Sequence, residues 1–231
     1  MPNPNIHVIE TTALRNRLLS QAQSNEIEYE LETLNREECA ILCDTLLENH
    51  SLIWSIDVSP KHKIRSDFGV EILEALKACK NLQYLSLENL IIDKAIVQLL
   101  NEIFQQNERL HSLVLGRTLE SNGEYHEERE ALKEFIDNCI KMPHLKVLDL
   151  SNRDLNEYGK RIARLLKSPE LTHLNVHNCL LNEEDLREII SALTNSRLTT
   201  LDLSGNHLNK TNSRTLHNVL PKTSITTLIL E

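Results

Sequence analysis

Leu145-Lys146-Val147-Leu148-Asp149-Leu150-Ser151-Asn152 decides how this chain is read. Its leucines keep the spacing LxxLxL, which returns at Leu82/Leu85/Leu87, Leu110/Leu113/Leu115, Leu171/Leu174/Val176, Leu198/Leu201/Leu203 and Ile225/Leu228/Leu230. Upstream, Ile53/Ile56/Val58 keeps all three apolar positions, Ser24/Ile27/Tyr29 keeps two, and Ile6 with Val8 forms a weaker copy. Successive copies lie 26 to 29 residues apart, with one longer unit. Self-similarity at such a period marks a stacked-repeat architecture.

Every copy continues in the same way. Leu34-Asn35, Ile92-Asp93, Leu155-Asn156, Leu181-Asn182 and Leu208-Asn209 stand at equivalent places in their units, and Asn or Asp there suits a helix N-cap. Asn35 with Glu38, and Asn182 with Asp185, have the spacing of a capping box. Helical periodicity follows in Leu186, Ile189, Ile190 and Leu193, and in Ile96, Leu99, Leu100, Ile103 and Phe104. Each unit is therefore expected to be a short strand, a turn and a helix. Such a unit cannot bury its apolar face alone and must stack on its neighbours. Strands stack at ~4.8 Å and helices at ~8–10 Å, so the stack is expected to curve with its strands on the concave side.

This pattern resembles the leucine-rich repeat family, and a unit with a full helix is similar to the ribonuclease-inhibitor-like subtype. The resemblance covers residues 24 to 231 and implies an α/β solenoid: a right-handed β-α superhelix, horseshoe-shaped, with a parallel concave sheet and convex helices. It divides the chain into an N-terminal cap, 1–23, and a repeat domain, 24–231, of about seven full units plus a terminal strand. In the cap, a strand over Ile6 to Ile9 and a helix from Thr12 carrying Leu14, Leu18 and Leu19 are expected. Cys179 and Asn206 occupy the place where the family sets a Cys or Asn whose side chain bonds exposed turn backbone. Leu90, Thr118 and Arg153 depart from that pattern, so looser turns are expected there. The chain reaches Glu231 directly after Leu230, without a helix over the final unit, so its last strand is expected to pair with something or the natural protein to continue.

Composition bounds the function. A net charge of −9 over 231 residues argues against nucleic acid or an anionic membrane as partner, and favours a basic one. No run of about 18 apolar residues occurs, and Met-Pro-Asn-Pro-Asn is not the start of a secretory signal. Five cysteines, none in a CxxC pair, fit a reducing compartment, and Cys39, Cys43, Cys79 and Cys139 read as core residues rather than metal or redox groups. A cytoplasmic monomer without cofactor is the expectation.

Period-two alternation puts Glu26, Glu28 and Glu30 on one strand face, which makes that end of the concave surface acidic. Trp54, the only tryptophan, and Tyr84 are aromatic anchors on the same surface. Asp149, Asn175 and Asp202 are equivalent and stack across strands, while His173 and His177 share a face at ~13 Å, too far apart for one metal. The candidate partner-binding set is Glu28, Trp54, Asp57, Tyr84, His111, Asp149, His173, Asn175, His177 and Asp202. The unit starting at Leu110 is seven residues longer than its predecessor, and the excess falls between strand and helix around 116–128, which reads as a polar protruding loop. Glycine is scarce and isolated, so no phosphate-cradling loop exists, and neither a nucleophile elbow nor HExxH occurs.

The expected function is thus non-enzymatic binding of a protein on the concave face. The alternative is a GTPase-activating protein of the Ran type, in which a loop arginine, Arg117 or Arg153, assists phosphoryl transfer. Short divergent repeats of this kind also resemble effectors that bacteria secrete into host cytosol, which would make the partner a host protein.

Overall fold

A computed structural model describes residues 4–29, 34–59, 64, 66–117 and 126–230. Strands and helices alternate along it: α1 (Pro4–Gln23), β1 (Glu26–Tyr29), α2 (Arg36–Asn49), β2 (Ser55–Val58), α3 (Ser66–Leu76), β3 (Tyr84–Leu87), α4 (Lys94–Gln106), β4 (Ser112–Val114), α5 (His126–Cys139), β5 (Val147–Asp149), α6 (Gly159–Leu165), β6 (His173–Asn175), α7 (Glu183–Ala192), β7 (Thr200–Asp202), α8 (Lys210–Val219) and β8 (Thr227–Ile229). The fold is the α/β leucine-rich repeat solenoid. The chain divides into two compact units, Met1–Leu110 and His111–Glu231.

In the first unit β1, β2 and β3 are parallel, with Ile27, Ile56 and Leu85 in one register row and Glu28, Asp57 and Ser86 in another. The three apolar residues are buried, so alternation assigns the leucine row to the helix side and the acidic row to the open face. In the second unit β4 to β8 are parallel, and Leu113, Leu148, Leu174, Leu201 and Leu228 form the corresponding row. The first four are fully buried, each contributing roughly 1.5–3 kcal/mol of hydrophobic stabilisation.

Helix starts follow the Asx pattern where the side chain reaches the first turn. Asn35 and Asn182 complete capping boxes with Glu38 and Asp185, and Asp93 and Asn209 accept from Ile96 N and Asn212 N. Asn156 departs from this pattern. Its side-chain Oδ1 accepts from Asn182 Nδ2 at 2.8 Å, and α6 begins only at Gly159. The reason lies in Asp185, which is buried and takes the amides of Glu157 and Gly159 at 2.9 and 2.8 Å while also bonding Asn182 N. That holds Glu157 in the left-handed region at φ 70 and delays the helix by two residues.

The N-terminus also differs from expectation: Pro4–Gln23 is one helix, with no strand at Ile6 to Ile9. Proline suits a first helical position, and once nucleated a helix propagates through β-branched residues at small cost. Leu14, Leu18 and Ala22 form its buried stripe. In the long unit, residues 118–125 of the insertion lie outside the described residues, as do Glu30 and Thr118, and α5 takes up at His126.

Gly159 is irreplaceable on this geometry, since a Cβ there would lie 2.4 Å from Asp185 Cα and 2.8 Å from its carbonyl oxygen. Gly159→Ala is expected to cost about 3 kcal/mol through forced separation of α6 from the Asp185 turn. A urea midpoint within error of the parent protein would overturn this account.

Candidate functional site

The open strand face carries the candidate residues, and the turns that follow the strands decide how free each one is. In the second unit Asp149, Asn175 and Asp202 occupy one register row. Each uses a side-chain oxygen to cap its own turn, accepting from Ser151 N, His177 N and Ser204 N at 2.8, 2.9 and 2.9 Å. The other oxygen of Asp149 accepts from Asn175 Nδ2 at 2.7 Å. Asp149 is therefore engaged at both oxygens, so the row is first a backbone device and second a contact surface.

His177 belongs to a polar chain that sequence reading missed. Its Nδ1 lies 2.7 Å from Ser204 Oγ, and that hydroxyl donates to Asp202 Oδ1 at 2.5 Å. Because the serine proton goes to the carboxylate, the imidazole donates to the oxygen and does not withdraw its proton. This order is the reverse of a nucleophile–base pair. Only the turn pattern Asp202-Leu203-Ser204, repeated as Asp149-Leu150-Ser151, could have signalled it. His173 is exposed and shares a hydrogen bond with Thr172 Oγ1 at 2.8 Å, and His111 is half-buried with its carbonyl taking Lys146 N and Val147 N.

In the first unit Trp54 is 46% exposed and Glu28 is exposed, while Asp57 and Tyr84 are half-buried. Trp54 and Tyr84 are neighbours across the ladder, since Tyr84 N donates to Trp54 O at 3.2 Å. Glu28 and Asp57 are register partners, and Asp57 also accepts from Ser59 Oγ.

The turn residues correct one expectation. Arg153 stands in the Cys or Asn place, and its turn is not looser for it. Arg153 Nε donates to Leu115 O, just as Cys179 Sγ reaches Leu150 O at 3.1 Å and Asn206 Nδ2 reaches Val176 O at 2.8 Å. All three tie a turn to the last core carbonyl of the preceding unit. The Arg153 guanidinium also donates to Glu128 at 2.5 Å, and Arg117 bonds the same carboxylate. All three side chains are buried. Burial pushes the Arg153 guanidinium down to about 10 while Glu128 opposes the shift, so it stays charged at neutral pH. Arg117 and Arg153 are thus fastened inside the second unit rather than presented to a nucleotide. Leu90, at the same place in the first unit, is buried and makes a parallel bridge with Ile64.

All five cysteines are free thiols, four of them buried. Burial pushes Cys79 and Cys179 up to about 12 and also raises Cys139. Cys43 is half-buried and lowered by a hydrogen bond from Cys39, which is itself raised by that bond and by burial. Among the described residues no group of three or more His, Cys, Asp and Glu is placed to hold a metal, and no helix is long and apolar enough to cross a membrane.

No family profile matches the chain, and no curated protein matches it. Solved structures do share its fold. A protein from Bacteroides fragilis is 15% identical, with a TM-score of 0.57 over 94% of this chain and 68% of that one. The leucine-rich repeat-containing protein LegL7 from Legionella pneumophila is 19% identical, with a TM-score of 0.53 over 88% and 63%.

Two predictions follow from the buried groups. Glu128→Gln strips both arginines of their carboxylate and is expected to cost about 3 kcal/mol or more, read as a lowered unfolding midpoint; an unchanged midpoint would refute the clamp. A disulfide reagent at pH 8 should label one thiol quickly and four only on unfolding, with the fast phase absent in Cys43→Ser.

Proposed function

We propose that this chain is a protein-interaction scaffold whose contact surface is the open strand face of its repeats. The observation that carries the reading is the division of labour within the strands: apolar positions such as Ile56 and Leu148 are buried, while the alternate positions, from Glu28 and Asp57 to His173 and Asp202, differ from unit to unit, polar at most places and apolar at Val114, Val147 and Ile229. A surface held rigid by a parallel ladder loses little entropy on binding, and its variable side chains supply selectivity without altering the stack. On this face the Ser204 hydroxyl is committed to Asp202. Fold likeness to repeat-containing bacterial proteins supports a scaffold, and the finer reading, an effector acting on a host protein, is tested by a translocation assay into host cells.

The scaffold reading is tested by affinity capture with the full chain, comparing it with a Trp54→Ala/Tyr84→Ala variant and a His173→Ala/Asn175→Ala variant. Recovery of a specific partner should fall at least tenfold for one of the two pairs, a loss of about 1.4 kcal/mol. Equal recovery by both variants, with unfolding midpoints unchanged, would remove the open face as the contact surface.

A further inference from the structure

We infer that the open face of the first unit selects a lysine- or arginine-bearing segment of its protein partner, with Trp54 as the anchor. This rests on the scaffold reading and adds the chemistry of the partner.

Trp54 is the starting point. Its backbone is fixed on both sides: its amide donates to Asn25 O at 2.8 Å, and its carbonyl accepts from Gln83 N at 2.7 Å and Tyr84 N at 3.2 Å. The residue is therefore held rigidly at the head of β2, and it is 46% exposed. A large aromatic held in that way gains most when a partner covers it, and such residues dominate binding where they occur. Tyr84, on the adjacent strand, extends the aromatic surface.

What covers the indole is indicated by the charges around it. Glu26 and Glu28 on β1 are register partners of Ser55 and Asp57 on β2, and Ser55 in turn pairs with Tyr84 on β3. At ~4.8 Å between strands, the backbones that carry Glu26, Glu28, Asp57, Trp54 and Tyr84 fall within roughly 10–15 Å of one another. The outward strand positions of β1 to β3 hold no basic residue, being Glu26, Glu28, Ser55, Asp57, Tyr84 and Ser86. A guanidinium or ammonium group satisfies both features at once: it lies over an aromatic face by cation–π attraction and donates to a neighbouring carboxylate. An acidic segment would meet like charges, and an apolar one would bury carboxylates without partners. The second unit lacks this combination, since the chain's only tryptophan is Trp54 and none of β4 to β8 carries a glutamate.

Trp54 is the only tryptophan in the chain, so its emission reports this face directly. The full chain is titrated with four peptides of equal length, alternating serine with arginine, lysine, glutamate or glycine. The arginine and lysine peptides are expected to change Trp54 emission saturably and to bind more weakly as salt rises, with no saturable change from the other two. A Glu28→Gln/Asp57→Asn variant, shown by its unfolding midpoint to be folded, should bind the basic peptides at least tenfold more weakly. Absence of a saturable response to basic peptides, an equal response to the glutamate peptide, or undiminished binding by the variant would each overturn the inference. The two readings fail separately. If Trp54→Ala abolishes capture of a partner but Glu28→Gln/Asp57→Asn does not, the scaffold stands and the basic partner falls; if neither affects capture, this face is no contact surface at all.

Discussion

The whole architecture depends on one constraint: a strand–turn–helix unit has an apolar side that only another unit can cover. Leu148 lies between Leu113 and Leu174 in the register of its sheet, and Ile56 lies between Ile27 and Leu85. Each is fully buried because both neighbours are present. The register is correspondingly strict. A shift by one residue would turn Asp149, Asn175 and Asp202 toward the helices and the leucines toward water, so the alternation that builds the core also places the polar positions on the open face.

A second constraint arises where strand becomes turn. The backbone there leaves the ladder while still partly buried, and its carbonyls need donors. The chain answers with three different side chains at one equivalent place: the Arg153 guanidinium, the Cys179 thiol and the Asn206 amide, bonding Leu115 O, Leu150 O and Val176 O respectively. Arginine carries a charge into the interior, which is why Glu128 is buried with it and why Arg117 joins the cluster. Immediately before Leu90, Arg153, Cys179 and Asn206, the residues Asn89, Asn152, Asn178 and Gly205 all sit at positive φ, from 48 to 67. Asparagine and glycine are the residues that tolerate that conformation, and Asn178 adds a hydrogen bond to Asn152 at 3.0 Å.

Legibility in the sequence followed how local each determinant was. LxxLxL and the Asx caps are local and periodic, so the strands, the sides they present and the starts of α2, α4, α7 and α8 could be read directly. The start of α6 could not, because Asn156 looks like every other cap and the residue that overrides it, Asp185, lies in the next unit. The same holds for Arg153, which departs from the pattern in type but supplies the same donor from a longer side chain. Of the candidate site, exposure of Glu28 and His173 was readable from alternation, and that of Trp54 from its place between the repeat positions Ile53 and Ile56. That Asp149 serves its own turn and its neighbour was not, since hydrogen-bond partners are set by the stack rather than by spacing.

That last distinction sharpens what a surface residue on such a fold means. Outward position is a property of the repeat, but availability is a property of the turn beneath it. Asp57, Asp149 and Asp202 share one position, and each accepts a hydrogen bond from a serine two residues on, through Ser59 Oγ, Ser151 N and Ser204 N respectively. A carboxylate in that role has already traded part of its hydration for a protein donor, so it offers a partner less than its charge suggests. Glu26 and Glu28 have longer side chains and are exposed. The aromatic residues are different again, because the Trp54 indole is not a turn acceptor and leaves 46% of its surface to solvent. Under the scaffold function proposed above, selectivity resides less in the recurrent aspartates than in the positions where the repeat pattern is broken by a longer acid or an aromatic ring.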